Sequence, residues 1–187
     1  MESEIQKALQ VLRSGGIILC PTDTVWGISC DATNASAVEK IYKLKERDPS
    51  KSMILLIDDE KFLNKYLKEV PELAWDLIEM AENPLTIIYD DAINLPSNVI
   101  AYDKSVAFRV CKDEFCKKLI YKLGKPIVST SANRSGDDTP EIFSEISDLI
   151  VANVDYIVNW RQNDHKNVKP SSIMKLKMNG EVTVIRK

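Results

Sequence analysis

Apolar residues near the start of the chain recur at helical spacing: Ile5, Ala8, Leu9 and Leu12 share one face, and Gly15-Gly16 ends the pattern. The spacing predicts an opening helix and then a strand over 16–20, where Ile17, Ile18 and Leu19 run without a polar break. Asn34 suits the cap of a second helix with Val38, Ile41 and Tyr42 on one face, and Pro49 bounds it. Short apolar runs flanked by charge predict strands over 53–57, 85–89, 106–110 and 127–129. Helical patterns occupy 60–67, 71–80 and 114–123, the last with Phe115, Leu119 and Ile120 inward. Farther on, 141–146 and 147–151 read as helical, and 156–158, 173–176 and 182–185 as extended.

Strands and helices interleave without a strict βαβ repeat. The expected class is therefore α/β (α+β), a twisted open mixed β-sheet flanked by helices. No break in composition divides the 187 residues, so a single domain over 1–187 is expected. No apolar run approaches the roughly 18 residues of a membrane span. The acidic, amphipathic start does not read as a signal peptide, and the expected location is cytoplasmic.

Charge narrows the chemistry. A net charge of −3 argues against binding nucleic acid through bulk charge, while leaving room for a local basic cavity. Cys20, Cys30, Cys111 and Cys116 form no Cys-x-x-Cys pair, and His165 is the only histidine, so the set reads as reduced, buried thiols with no protein metal site. The lack of a second histidine and of a Gly-x-Ser-x-Gly elbow disfavours a serine hydrolase. Neither a Walker-type loop nor a dinucleotide fingerprint is present.

Polar residues that a core cannot explain gather in two places. Ser129-Thr130-Ser131-Ala132-Asn133-Arg134-Ser135-Gly136 follows a predicted strand, and Pro21-Thr22-Asp23-Thr24-Val25-Trp26-Gly27 follows another. Strand ends are where open α/β sheets bind ligands. The hydroxyls and amide of Ser129, Ser131 and Asn133 suit either phosphate oxygens or an ordinary turn. Asp23 reads as an Asx turn or a metal neighbour, and Trp26 and Trp160 as packing residues.

Lys43, Lys45, Arg47 and Lys51 are either a solvated charged face or a polyphosphate clamp. Lys45 and Arg47, two apart, converge only if the helix ends near Lys45, which Asp48-Pro49 permits, and Ser52 leads into the next strand. Arg109 sits between Phe108 and Val110 in an apolar strand and needs an anion, either a structural carboxylate or a ligand's. The glycine-free polar stretch 159–169 is long enough to serve as a flap.

In order and spacing these motifs, with Pro84-Leu85-Thr86 and Pro170-Ser171-Ser172-Ile173, resemble the motif set of the YrdC family over nearly the whole chain. The resemblance implies a YrdC-like fold with a large positively charged cavity, in the short form without an appended C-terminal domain. It implies a nucleotidyltransferase that makes L-threonylcarbamoyl-AMP from L-threonine, bicarbonate and ATP, usually with Mg2+, and releases pyrophosphate. A partner complex would then use the product to modify tRNA next to the anticodon.

Carried onto this sequence, the resemblance gives Lys45, Arg47 and Lys51 as catalytic, facing the ATP phosphates. Ser52, Thr86, Ser129, Ser131, Asn133, Ser171 and Arg186 would complete the ATP pocket, while Thr24 and Arg109 would hold threonine. The alternative that the resemblance carries is double-stranded RNA binding, or ribosome maturation, through the same basic cavity. Glu82-Asn83-Pro84 stands where the family has Pro-Gly-Pro.

Overall fold

Long-range strand pairing, rather than local helix propensity, organises this chain. The computed structural model describes residues 1–164 and 170–187. In chain order the elements are α1 (Glu2–Arg13), β1 (Ile18–Cys20), β2 (Gly27–Asp31), α2 (Ala35–Lys45), β3 (Ile54–Ile57), α3 (Leu63–Tyr66), α4 (Leu73–Met80) and β4 (Leu85–Tyr89). They continue with β5 (Val106–Val110), α5 (Glu114–Leu123), β6 (Ile127–Ser131), α6 (Asp148–Ala152), β7 (Tyr156–Ile157), β8 (Ser172–Leu176) and β9 (Val182–Arg186). Among the described residues nine strands form one mixed sheet in the order β7-β1-β2-β6-β3-β5-β4-β8-β9.

Three expectations shift. The sequence pattern gave no strand at β2, where Gly27, Ser29 and Asp31 interrupt the apolar positions Ile28 and Cys30; all five are buried. Pairing with β2, Gly27 opposite Ser131, extends β6 two residues past the expected end at 129, so Thr130 and Ser131 lie on the strand and not in a loop. Residues 141–146 form only a 3-10 turn, Phe143–Glu145.

Both faces of the sheet are covered, which is why its central strands read as continuous apolar runs. On one face α1 and α5 pack Ile5, Leu9, Leu12, Phe115, Leu119 and Ile120 against Ile18, Leu56 and Ile127. On the other, α2 sets Val38 and Ile41 against Leu19, Ile28, Leu55 and Val128. Asn34 caps α2 through Ala37 N (3.1 Å), and Asp113 caps α5 through Cys116 N (2.9 Å).

The register makes a hollow on the face that α1 and α5 cover only in part. A transverse row crosses five strands: Ser29, Ser129, Ile54, Ala107 and Ile88 are successive partners. The parallel row beside it runs Ile127, Leu56, Arg109, Thr86 and Ile173. Because side chains alternate faces with a period of two, both rows point the same way. Small residues in the first row and at Gly27 leave a depression that larger side chains would fill. A Cβ added at Gly27 would lie 3.3 Å from both Ser129 Oγ and Thr130 O.

Candidate active site

That depression is the floor of a cavity of about 310 Å³, within the range of small-molecule sites. Gly27, Ile54, Ile88, Ala107 and Arg109 form its base, and Ser129, Ser131, Ser52, Ser171, Thr24 and Thr139 add hydroxyls. Arg47 and Arg186 complete the charge, and no lining residue among those described is acidic.

Thr24 is held by its own loop. Thr22 Oγ1 accepts from Thr24 N (3.0 Å) and gives its single proton to the Val25 carbonyl (2.8 Å). In the 3.1 Å contact between the two hydroxyls, Thr24 must therefore be the donor. Its lone pairs are left for Arg109 Nη2, at 3.3 Å, and for a donor on a ligand. Thr24 can thus accept from an amine or hydroxyl of a bound molecule, while a carboxylate has to find its donors elsewhere.

Arg109 lies at the row position between Leu56 and Thr86 and is 4% exposed. Its Nη2 stands 3.0 Å from Asp23 Oδ1, an ion pair without the alignment of a hydrogen bond, and Nε has no partner. Of the two anions the sequence left open for this arginine, the structural carboxylate is present, and Asp23 supplies it. Asp23 Oδ2 also accepts a long 3.4 Å contact from Lys112 N.

The basic loop behaves differently residue by residue. Helix α2 ends at Lys45 because Glu46 takes a left-handed conformation (φ 49°), which turns Arg47 away from the helix face. Arg47 then donates through Nε to Lys51 O (2.8 Å) and through Nη2 to Ser52 O (2.9 Å), which fixes it at the cavity wall. Lys45 is buried and outside the lining; its ammonium donates to Ser131 O (2.5 Å) and to Asn133 O. Burial and the nearby Arg47 charge lower its pKa to about 8. The Lys51 side chain is exposed and also outside the lining.

On the far wall Thr86 is fully buried and shares a 2.8 Å hydrogen bond with Ser171 Oγ. Arg186 donates through Nε to Ser171 O (2.9 Å) and reaches Ser171 Oγ at 3.4 Å. Burial and the charge of Arg109 lower the Arg186 pKa. Asn133 spends its amide protons on Arg134 O (3.0 Å) and Asp137 O (2.8 Å), leaving a buried, unpartnered Oδ1.

Of the residues expected at the site, Thr24, Arg47, Ser52, Arg109, Ser129, Ser131, Ser171 and Arg186 converge on the one cavity. Lys45, Lys51, Thr86 and Asn133 do not line it, and Lys45 and Thr86 instead hold residues that do. Thr139 in the lining was not anticipated; a hydroxyl three residues beyond Gly136 was the available signal. The flap expectation, 159–169, falls in part on 165–169, outside the described residues. Before that point Asn159 N donates to Glu4 Oε2 (2.8 Å), and Arg161 pairs with Asp113 and with Asp164 (2.7 Å).

The family profile described as "Telomere recombination", that of the Sua5, YciO and YrdC proteins, matches residues 10–187. A protein of Pseudoalteromonas translucida named threonylcarbamoyl-AMP synthase is 34% identical over 184 residues, covering 97% of each chain. One of Methanocaldococcus jannaschii, named putative threonylcarbamoyl-AMP synthase, is 32% identical over 180 residues, covering 94% of this chain and 83% of its own. Among solved structures, P. abyssi Sua5 complexed with L-threonine superposes with a TM-score of 0.84 at 26% identity over 94% of this chain. The present chain spans about half of that one (52%). By profile, sequence and fold alike, this chain belongs to the Sua5/YciO/YrdC family.

Proposed function

We propose that this protein is a nucleotidyltransferase that makes L-threonylcarbamoyl-AMP from L-threonine, bicarbonate and ATP, releasing pyrophosphate. The observation that carries this reading is the convergence of Arg47, Arg109 and Arg186 with five serine and threonine hydroxyls, Thr24, Ser52, Ser129, Ser131 and Ser171, in one cavity. Support comes from relatives named threonylcarbamoyl-AMP synthase and from a related Sua5 crystallised with L-threonine.

The chemistry asks for positioning and charge neutralisation more than for a base. Arg109 receives the threonine carboxylate on its remaining N–H groups, and Thr24, with lone pairs to spare, accepts from the amine or side-chain hydroxyl. The amine nitrogen bonds to the carbon of bicarbonate-derived CO2 and loses a proton, giving a carbamate. A carbamate oxygen then attacks the α-phosphorus of ATP, and the bond to the β-phosphate oxygen breaks, its electron pair leaving with pyrophosphate. Arg47 and Arg186 stand in the cavity wall to offset the charge that builds on the phosphates.

The free hydroxyls of Ser52, Ser129 and Ser131 offer further donors to the nucleotide. Lys45 acts behind them, fixing the Ser131 and Asn133 carbonyls. Magnesium would arrive with ATP: the described lining holds no carboxylate, and the hydroxyls of Ser52, Ser129 and Ser131 are the oxygens it could offer beside those of phosphate and water.

A mixed anhydride of this kind is consumed by acyl transfer, here to tRNA next to the anticodon by a partner complex, in the cytoplasm. Arginines gathered inside a cavity suit one compact polyanion better than an RNA duplex, whose phosphates lie along an extended surface. The test is the product. Incubation with ATP, L-threonine and carbon-labelled bicarbonate is expected to give a nucleotide carrying the label and the threonine mass; AMP without either would refute the reading.

A further inference from the structure

The three arginines of the cavity are not equivalent. Arg109 has a carboxylate at 3.0 Å, that of Asp23, whereas Arg47 and Arg186 are held only by the oxygens of Lys51, Ser52 and Ser171. Among the described residues neither of these two has an acidic side chain within ion-pair distance. Asp23 itself does not line the cavity; it lies behind Arg109, about as buried as its partner, steadied by the Lys112 amide.

Without Asp23, three guanidiniums would make one continuous cationic surface. Burial, and after it the charge of Arg109, lower the Arg186 pKa. A polyphosphate entering such a surface could bind across all three cations and occupy the amino-acid end as readily as its own.

Resting on the reading above, we propose that Asp23 sorts the two anionic ligands of the cavity. It offsets the charge of Arg109 at Nη2 while Nε keeps no protein partner, so a singly charged carboxylate is accepted there. A dense polyanion is repelled by Asp23 and directed toward Arg47 and Arg186. Asp23 is on this account a specificity-determining residue that acts through Arg109.

The test is calorimetric titration of the full chain with L-threonine, in the absence and presence of saturating inorganic pyrophosphate. In the native protein the threonine affinity is expected to be the same in both, because the ligands occupy separate ends. In Asp23→Asn pyrophosphate is expected to compete, weakening apparent threonine binding at least about tenfold, as removal of one close charge implies. Asp23→Glu should restore independence.

Displacement of threonine by pyrophosphate in the native protein would overturn the proposal, as would the absence of competition in a folded Asp23→Asn. Where the asparagine variant does not fold, Asp23→Ser takes its place, with the same competition expected. A native protein that binds no threonine at all would instead remove the amino-acid reading of Arg109 on which the proposal rests.

Discussion

The ammonium of Lys45 donates to the main-chain carbonyl of Ser131 at 2.5 Å, joining the last residue of α2 to the last residue of β6. A second bond to the Asn133 carbonyl, and Ser135 N to Lys45 O at 2.9 Å, make this a clamp between the basic loop and the serine strand. A lysine that touched phosphate directly would have its ammonium in the cavity; this one lies beneath it. Lys45→Ala therefore leaves two carbonyls without their donor and is expected to cost about 1–3 kcal/mol of stability as well as activity. Urea unfolding beside an assay of turnover checks this. Lost turnover with unchanged stability would return Lys45 to a direct phosphate contact.

Thr24→Val keeps the shape of the side chain and removes the oxygen that Arg109 and a ligand share. The expected effect is a threonine KM raised by about tenfold or more, the worth of an orphaned buried donor, with little change in the ATP KM. Thr24→Ser should retain most of the affinity. Steady-state kinetics with each substrate varied in turn separates the two constants, and equal effects on both would count against a threonine subsite at Thr24.

Glu4 ties α1 to the strand end that precedes 159–164. Its buried carboxylate is penalised by desolvation, yet bonds from Tyr156 Oη, Lys7 and Asn159 N outweigh that and hold its pKa below the usual value. A carboxylate with a depressed folded-state pKa contributes stability that is present above its unfolded pKa, near 4.5, and is lost as pH falls through the folded value. Glu4→Gln is thus expected to lower stability at neutral pH and to flatten the acid limb. Thermal melts of both proteins between pH 7 and pH 3 should converge at the acid end; parallel curves would show that Glu4 does not carry this dependence.

Most of the architecture was legible because the helices α1, α2 and α5 carry a plain 3.6-residue repeat and β3, β4 and β5 are short apolar runs. Strand β2 was not, because Gly27 lines the hollow of the sheet and Ser29, on the same face, is buried beside Cys20, so the usual apolar signal is missing. That omission had a consequence for the site: Ser131 read as part of a loop until its pairing with Gly27 of β2 set it on the strand, beside Ser129 in the cavity lining.

The motifs named the right neighbourhood but not the depth of each side chain. Nothing in the spacing tells Lys45, turned under Ser131, from Arg47, turned into the cavity two residues later. The same holds for Asp23 and Arg109: a buried arginine announces its need for an anion, but only the loop between β1 and β2, folded against β5, identifies it.

The central claim is tested most directly by pyrophosphate release from ATP in bicarbonate buffer, with each amino acid supplied in turn. The account predicts release that depends on both bicarbonate and an amino acid, strongest with L-threonine, and sharply reduced in Arg109→Gln. Release that is equally fast without an amino acid, or that prefers another one to threonine, would contradict it.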